Sequence, residues 1–136
     1  MEMNELGRMK MTKPLLACLE EVRQYYLDDF LPKYEELFSQ AVDIMKFVDG
    51  QYETLSVEEI EGKERECKSL SANFEELSRE TEKREDELLF QADHGTDFLP
   101  RQSHFVRHDG RKILEYASGY LNYCKKAKEK KEKREL

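Results

Sequence analysis

Residues 56–95 read SVEEIEGKERECKSLSANFEELSRETEKREDELLFQADHG, and their pattern decides the fold class. Ser56 and Glu59 have the spacing of a capping box, in which a hydroxyl and a carboxylate each satisfy a free amide of the first helical turn. Two interleaved rows then repeat every seven residues, as in a coiled-coil seam. The rows consist of Ile60, Cys67, Phe74, Thr81 and Leu88, and of Lys63, Leu70, Leu77 and Arg84. The stretch therefore predicts one long helix that ends at the Asp-His-Gly run of residues 93–95.

A second apolar stripe lies nearer the N-terminus, over residues 15–48. Its steps of three and four residues predict an amphipathic helix. Thr12 as N-cap and Pro14 in the first turn indicate its start, and the Asp-Gly pair at 49–50 indicates its end. Pro32 removes one backbone hydrogen bond and crowds the preceding turn, so the helix either bends or breaks there. The stripe consists of Leu15, Leu19, Val22, Tyr26, Phe30, Tyr34, Leu37, Ala41, Ile44 and Val48.

The two long helices have matching lengths, each about 36 residues or roughly 54 Å. Because only about six residues join them, the economical arrangement is an antiparallel hairpin. After a loop at 93–109, a shorter third helix of about 24 residues, roughly 36 Å, covers only part of the hairpin groove. Its apolar face consists of Ile113, Tyr116, Ala117, Tyr120, Cys124 and Ala127. The predicted fold is all-α: an elongated antiparallel helical hairpin plus a shorter third helix, in a coiled-coil-like three-helix bundle.

Charge is unevenly spread along the chain. The 136 residues carry 23 basic and 30 acidic side chains, a net charge of −7. Residues 125–136, KKAKEKKEKREL, carry +4, which leaves −11 on the rest. We expect a single helical-bundle domain over residues 1–124 and a basic, flexible C-terminal tail at 125–136. The acidic body repels nucleic acid and anionic membranes, whereas the tail can contact either one weakly.

Composition argues against several classes of protein. No apolar run approaches the 18 residues that a membrane span needs, and the polar N-terminus does not resemble a signal peptide. The three cysteines are widely spaced and form no CxxC pair, so they indicate neither a disulfide framework nor a cysteine-based zinc site. We expect an intracellular, cytoplasmic protein without a membrane span.

No arrangement of residues indicates catalysis. The cysteines have no histidine near them in sequence, no glycine-rich phosphate loop is present, and the many glutamates follow solvated helix faces. We expect no enzyme activity and no cofactor. His104 and His108, four residues apart, could bind a divalent metal together with Asp93, His94, Asp97 and Asp109. The Glu of an HExxH motif is missing, and polar loops of this composition are common without metal, so we expect no metal site.

Two groups of side chains are candidates for partner binding. Tyrosines flank the stripe of the third helix, where they supply contact area at low entropic cost or form the wet edge of the core. Arginines and a lysine near the start of that helix could bind a phosphate or a partner's carboxylate, or could pair with the acidic second helix. The candidate residues are Tyr116, Tyr120, Tyr123, Arg107, Arg111 and Lys112.

These features predict a non-catalytic protein-binding helical bundle, such as an adaptor, an assembly subunit or an export-type chaperone. It would offer an amphipathic groove to a partner helix or to a second copy. In its acidic charge and long hairpin the chain is similar in general terms to helical secretion chaperones and coiled-coil assembly subunits, although no motif specifies a family. The alternative function is nucleic-acid or phosphate binding through the basic loop 101–112 and the lysine-rich tail.

Overall fold

The computed structural model describes residues 13–92 and 101–135, and the fold is all-α, as predicted. Helix α1 covers Leu15–Tyr25, and a short π-helix, π1, follows at Tyr26–Phe30. Helix α2 continues directly over Leu31–Gln51. Helices α3 and α4 cover Val57–Phe90 and His104–Glu135. Within the described ranges, every helix is too short or too polar to cross a membrane.

The start of α3 confirms the predicted capping box. The Ser56 N–H donates to Glu59 Oε1 at 2.8 Å, and the Glu59 N–H donates to Ser56 Oγ at 3.0 Å. All five members of the heptad row that begins at Ile60 are buried, whereas the second row is buried only at its two leucines. Local capping and heptad spacing therefore suffice to define this helix. The predicted stop at residues 93–95 lies outside the described residues.

The first helical run does not break at Pro32. The residue before the proline, Leu31, has helical backbone angles, with φ −61° and ψ −43°. A proline ring crowds the carbonyl four residues before it, which here belongs to Asp28. Asp28 lies within π1, where the N–H of Leu31 bonds to the carbonyl of Tyr26, five residues back, instead of following the regular α-helical pattern. The π-turn thus coincides with Pro32, and the chain passes the proline without ending the helix. The predicted N-cap, Thr12, lies outside the described residues, and α2 ends one residue beyond Gly50.

The burial of α1 departs from the predicted stripe at Leu19. Val22 is buried as predicted, whereas Leu19, which the stripe placed inward, is 39% exposed, and its neighbour Cys18 is fully buried. The prediction for Leu19 is therefore wrong, because steps of three and four residues can lead from 15 to 22 through either 18 or 19.

Contacts divide the chain into two units, of which one consists of residues 34–76 and 108–135 among the described residues. In this unit Tyr34 packs against Phe74, with ring centroids 6.2 Å apart, and Lys63 Nζ lies 4.7 Å from the ring centroid of Phe47. Advancing along α2 therefore means moving back along α3. The two helices are antiparallel here, which confirms the predicted hairpin within this unit.

Helix α4 completes a three-helix bundle in the same unit. Arg111 pairs with Glu75, and Lys125 pairs with Glu64, so α4 also runs antiparallel to α3. The core of this unit contains side chains from all three helices. Its buried members are Ala41, Ile44, Val48, Leu55, Ile60, Cys67, Leu70, Phe74, Leu114, Ala117, Leu121 and Cys124.

Close contact in this bundle requires Gly110. A Cβ atom at this position would lie 2.7 Å from Tyr34 Cε1 and 2.8 Å from Phe74 Cε1. Such distances are well inside van der Waals contact, and both neighbours are rigid aromatic rings. Only glycine therefore fits where α4 meets these two rings.

The other unit consists, among the described residues, of 13–33, 77–92 and 101–107. Its small hydrophobic core contains Cys18, Val22, Leu88 and Leu89. The Lys13 N–H donates to the Gln91 carbonyl at 2.7 Å. Apolar packing thus joins α1 to the C-terminal part of α3.

A buried polar network lies in the same unit. Glu85 is fully buried and accepts two hydrogen bonds from Ser103, whose hydroxyl oxygen in turn accepts one from Arg107. Burial raises the pKa of the Glu85 carboxyl, and the hydrogen bonds from Ser103 together with the charges of Arg107 and Arg101 oppose that rise. The network fixes the chain at the residue that precedes α4.

The third helix is longer than the sequence predicted. It begins at His104 rather than near residue 110 and has 32 residues, against 34 in α3. The expectation of an exposed groove rested on a large difference in length, and that difference is small. Segment 125–135, predicted as a flexible tail, continues α4 as helix. Lys128 Nζ donates to the carbonyls of Tyr52 and Leu55, so part of this segment is anchored in the bundle.

Candidate functional site

Helix α4 presents two opposite faces in its own unit. The inward face is buried, and its members follow one another at steps of four and three residues: Gly110, Leu114, Ala117, Leu121, Cys124 and Lys128. A second set with the same spacing is exposed throughout, and we call it the outer stripe. The outer stripe consists of Lys112, Tyr116, Gly119, Tyr123, Lys126, Lys130 and Lys133. The inward face supplies the core contacts, whereas the outer stripe is exposed among the residues that the structure describes.

The three tyrosines predicted as partner-binding residues fall into two environments. Tyr116 and Tyr123 belong to the outer stripe, and they are 68% and 71% exposed. Tyr120 is partly buried, and its hydroxyl donates to Asp49 Oδ1 at 3.0 Å. Burial, together with its hydrogen bonds with Cys124 and Asp49, raises the pKa of Tyr120. Tyr120 therefore forms the edge of the core, whereas the other two present their rings to solvent.

Gly119 lies between the two exposed tyrosines and was missed by the sequence analysis. A Cβ atom built on it meets no heavy atom of the described residues within 4 Å. Glycine within a helix costs about 1 kcal/mol relative to alanine, and the packing that the structure describes does not require it here. The signal that could have identified Gly119 is the exact seven-residue period that it shares with Lys112, Lys126 and Lys133.

The C-terminal half of the outer stripe is basic. Its lysines lie on one exposed surface of α4 beside the ring of Tyr123, and this surface consists of Tyr123, Lys126, Ala127, Glu129, Lys130 and Lys133. Neighbouring lysines point the other way: Lys125 pairs with Glu64 at 3.1 Å, and Lys128 binds backbone carbonyls. The lysine-rich segment thus divides into inward cations used by the fold and outward cations beside an exposed aromatic ring.

The predicted basic residues near the start of α4 also separate. Arg111 forms two hydrogen bonds with Glu75, at 2.7 and 2.9 Å, and Lys112 is exposed at 3.8 Å from Glu115. Arg107 is buried, with its Nε–H bonded to the Ser103 hydroxyl at 2.8 Å, which corrects its placement on a partner-binding surface. A guanidinium in a buried network has little surface left for a partner. Of these three residues, only Lys112 joins the outer stripe.

The histidines considered as metal ligands lie in the first turns of α4. His104, His108 and Asp109 are all exposed, and the His104 ring packs edge-on against Phe105, with ring centroids 5.0 Å apart. Among the residues that the structure describes, no three His, Cys, Asp or Glu side chains converge as metal ligands would. The remaining candidate ligands, Asp93, His94 and Asp97, lie outside those ranges.

The three cysteines are buried, and two of them, Cys67 and Cys124, lie on the predicted apolar rows. Burial raises the pKa of the Cys67 thiol, and the charge of Glu64 acts in the same direction. A thiol is a nucleophile only as its thiolate. Burial and the raised pKa both make Cys67 a poor candidate for covalent chemistry.

No protein-family model, curated protein or solved structure matches this chain.

Proposed function

We propose that this chain is a non-catalytic protein-binding helical bundle, of the adaptor, assembly-subunit or export-chaperone kind, and that the outer stripe of α4 is its binding face. A single observation carries the proposal. Tyr116 and Tyr123 expose about two thirds of their surface, one heptad apart, on a helix whose opposite face is packed. Tyrosine is enriched in protein interfaces because it combines a large apolar ring with a polar end.

The position of these rings favours binding over a structural role. Tyr120, on the same helix, lies at the edge of the core, and its hydroxyl donates a hydrogen bond to Asp49. Tyr116 and Tyr123 remain largely in solvent, where an exposed ring gains little for the stability of the fold. Single exposed apolar side chains are common on protein surfaces. A pair at helical spacing with a small residue between them is a more specific pattern.

The absence of a catalytic role is part of the proposal. Its support is that the thiols are buried, and that the arginines of the predicted basic loop are bonded to carboxylates or to a hydroxyl. Buried cysteines that form no CxxC pair also suit a reducing compartment such as the cytoplasm.

The test compares partners of the tagged full chain in nuclease-treated lysate of its own source. Tyr116→Ala/Tyr123→Ala should lose a protein that the unchanged chain retains in fixed ratio. The matched control is Leu16→Ala/Phe90→Ala, which also removes two exposed apolar side chains, 69% and 83% exposed, and should retain that protein. Circular dichroism of both variants should equal that of the unchanged chain. Equal retention by both variants would contradict the proposal.

A second candidate function is nucleic-acid binding through the basic half of the outer stripe. The observation that favours it is the exposed surface on which Lys126, Lys130 and Lys133 lie beside the ring of Tyr123. Nucleic-acid or phosphate binding through the predicted basic loop 101–112 has less support, because Arg101 pairs with Asp86 at 2.6 Å and Arg111 pairs with Glu75. Salt-sensitive retention on single-stranded nucleic acid that disappears when the three lysines are changed to glutamine would support it.

A further inference from the structure

The outer stripe has the geometry of a surface that receives another helix. Its seven members alternate steps of four and three residues, which is the spacing of a coiled-coil seam. Tyr116 and Tyr123 are seven residues apart, which is about 10 Å along a helix axis. A partner helix presents its own side chains at the same interval, so both rings can contact it at equivalent positions.

Gly119 shows where such a helix would come closest. Inside the bundle, Gly110 is needed because two aromatic rings approach its backbone to within 2.7–2.8 Å of where a Cβ would be. Gly119 offers the same kind of opening on the outer surface, but no described atom fills it. A large side chain of an incoming helix could fit over this glycine between Tyr116 and Tyr123.

Charge decides what kind of helix fits. The outer stripe contains four lysines and no acidic residue, although Glu115 and Glu129 lie beside it. A second copy of α4 is a poor occupant. Two antiparallel copies that meet at Gly119 would bring Lys112 of one copy opposite Lys126 of the other, and like charges at such a contact are unfavourable. Nucleic acid is also disfavoured, since residues 1–124 carry a charge of −11.

We infer that the outer stripe binds an acidic amphipathic helix of another protein, which crosses α4 at Gly119 between Tyr116 and Tyr123 and pairs its carboxylates with Lys126, Lys130 and Lys133. This inference rests on the proposed function and names the class of partner. It needs no covalent chemistry and no cofactor. Its affinity should fall with added salt, because the lysines are exposed and their charges are screened.

The test uses a synthetic three-heptad helical peptide with leucine on one face and glutamate beside it. A matched peptide carries lysine in place of glutamate. Fluorescence anisotropy with the full chain should show binding of the glutamate peptide, weaker binding at high salt, and no binding of the lysine peptide. Gly119→Leu should weaken binding about tenfold or more, because the new side chain fills the opening.

A pair of glycine variants separates binding from folding. Gly119→Ala and Gly62→Ala should both raise the melting temperature, since neither Cβ meets an atom of the described residues closer than 3.6 Å. Only Gly119→Ala should weaken binding of the glutamate peptide to the chain. A loss of binding in a variant that is more stable than the parent cannot be explained by unfolding.

Several outcomes would overturn the inference. In the peptide experiment, these are no binding of the glutamate peptide, equal binding of both peptides, or unchanged affinity in Gly119→Leu. Tighter binding of a single-stranded oligonucleotide than of the peptide would also overturn it. So would a dimer in sedimentation that Gly119→Leu dissociates. Suppose that Tyr116→Ala/Tyr123→Ala loses its cellular partner, but that substitutions at Gly119 leave binding of the glutamate peptide unchanged. The proposed function would then stand while the acidic-helix inference fails.

Discussion

Ser103 binds the carboxylate of Glu85 twice, through its backbone N–H and through its hydroxyl, and both hydrogen bonds are 2.9 Å long. Glu85 lies on α3, and Ser103 immediately precedes α4. Amides at a helix N-terminus favour a nearby negative charge. Glu85 thus helps to determine where α4 begins, although the two residues are 18 positions apart in sequence.

The buried carboxyl of Glu85 should make stability depend on pH. Burial holds its pKa above the ordinary value of 4.5, so the folded protein binds this proton more tightly than the unfolded chain does. The contribution of this group to the free energy of unfolding is greatest below the unfolded pKa and is lost as the pH rises through the folded pKa. Glu85→Gln, which is neutral at every pH, should remove this component.

Urea denaturation at a series of pH values from about 4 to 8 measures this effect. As the pH rises above 4.5, the free energy of unfolding of the parent should fall relative to that of Glu85→Gln. Glu80→Gln, at an exposed position of the same helix, serves as the control and should run parallel to the parent. Parallel curves for Glu85→Gln as well would show that Glu85 has an unperturbed carboxyl.

Replacing Gly110 by alanine should destabilise the fold, in contrast to Gly119→Ala. The new methyl group would lie 2.7–2.8 Å from the rings of Tyr34 and Phe74. Overpacking of this kind typically costs about 1–3 kcal/mol, whereas alanine at the open position 119 should gain up to about 1 kcal/mol. Chemical denaturation of the two variants measures both values. Equal effects of the same sign would contradict the close approach at Gly110.

Lys128 should contribute to stability although it lies in a highly charged segment. Its Nζ donates to the Tyr52 and Leu55 carbonyls and lies 4.6 Å from the centroid of the Tyr52 ring. Lys128→Met leaves those carbonyls without this donor and should cost about 1–3 kcal/mol. Lys126→Met, two positions away on the exposed face, should change stability by less than about 0.5 kcal/mol. Thermal unfolding would contradict the assignment if the two variants behaved alike.

Loss of the Ser56 hydroxyl should weaken the start of α3. The hydroxyl accepts the Glu59 N–H at 3.0 Å, and replacing an N-cap serine by alanine costs about 1 kcal/mol. Ser69→Ala, at an exposed position within α3, is the matched control and should be close to neutral. Urea denaturation measures the difference in the free energy of unfolding, as a shift of the midpoint when the dependence on urea concentration is the same in both variants. A neutral effect of Ser56→Ala would mean that packing alone fixes this helix end.

Local sequence was sufficient to predict α3. The capping box and the buried heptad row involve residues three, four and seven positions apart, and such neighbours interact on any helix regardless of the rest of the fold. The same reasoning placed Cys67 and Cys124 on apolar rows, and both are buried. It predicted the hairpin as well, because the link between α2 and α3 is short.

The candidate site was only partly predictable. The sequence marked all three tyrosines as candidates and placed Tyr116 and Tyr120 on the apolar face of the third helix. That placement is wrong for Tyr116, which is 68% exposed. The separation of the three tyrosines into one core-edge residue and two exposed residues depends on the exact rotation of α4, which its packing against α2 and α3 sets. The opening at Gly119 follows from that same rotation.

The amino-acid sequence by itself determined the helical class, the start of α3 and its buried heptad row, and the antiparallel pairing of α2 with α3. Only the tertiary structure decided the π-turn before Pro32, the early start of α4 at the Glu85–Ser103 contact, and the separation of Lys128 from the outward lysines. The reason is physical. Helix periodicity and capping are set by residues within one or two turns, whereas the start of α4 and the placement of Lys128 depend on partners 18 and 76 positions away in the chain.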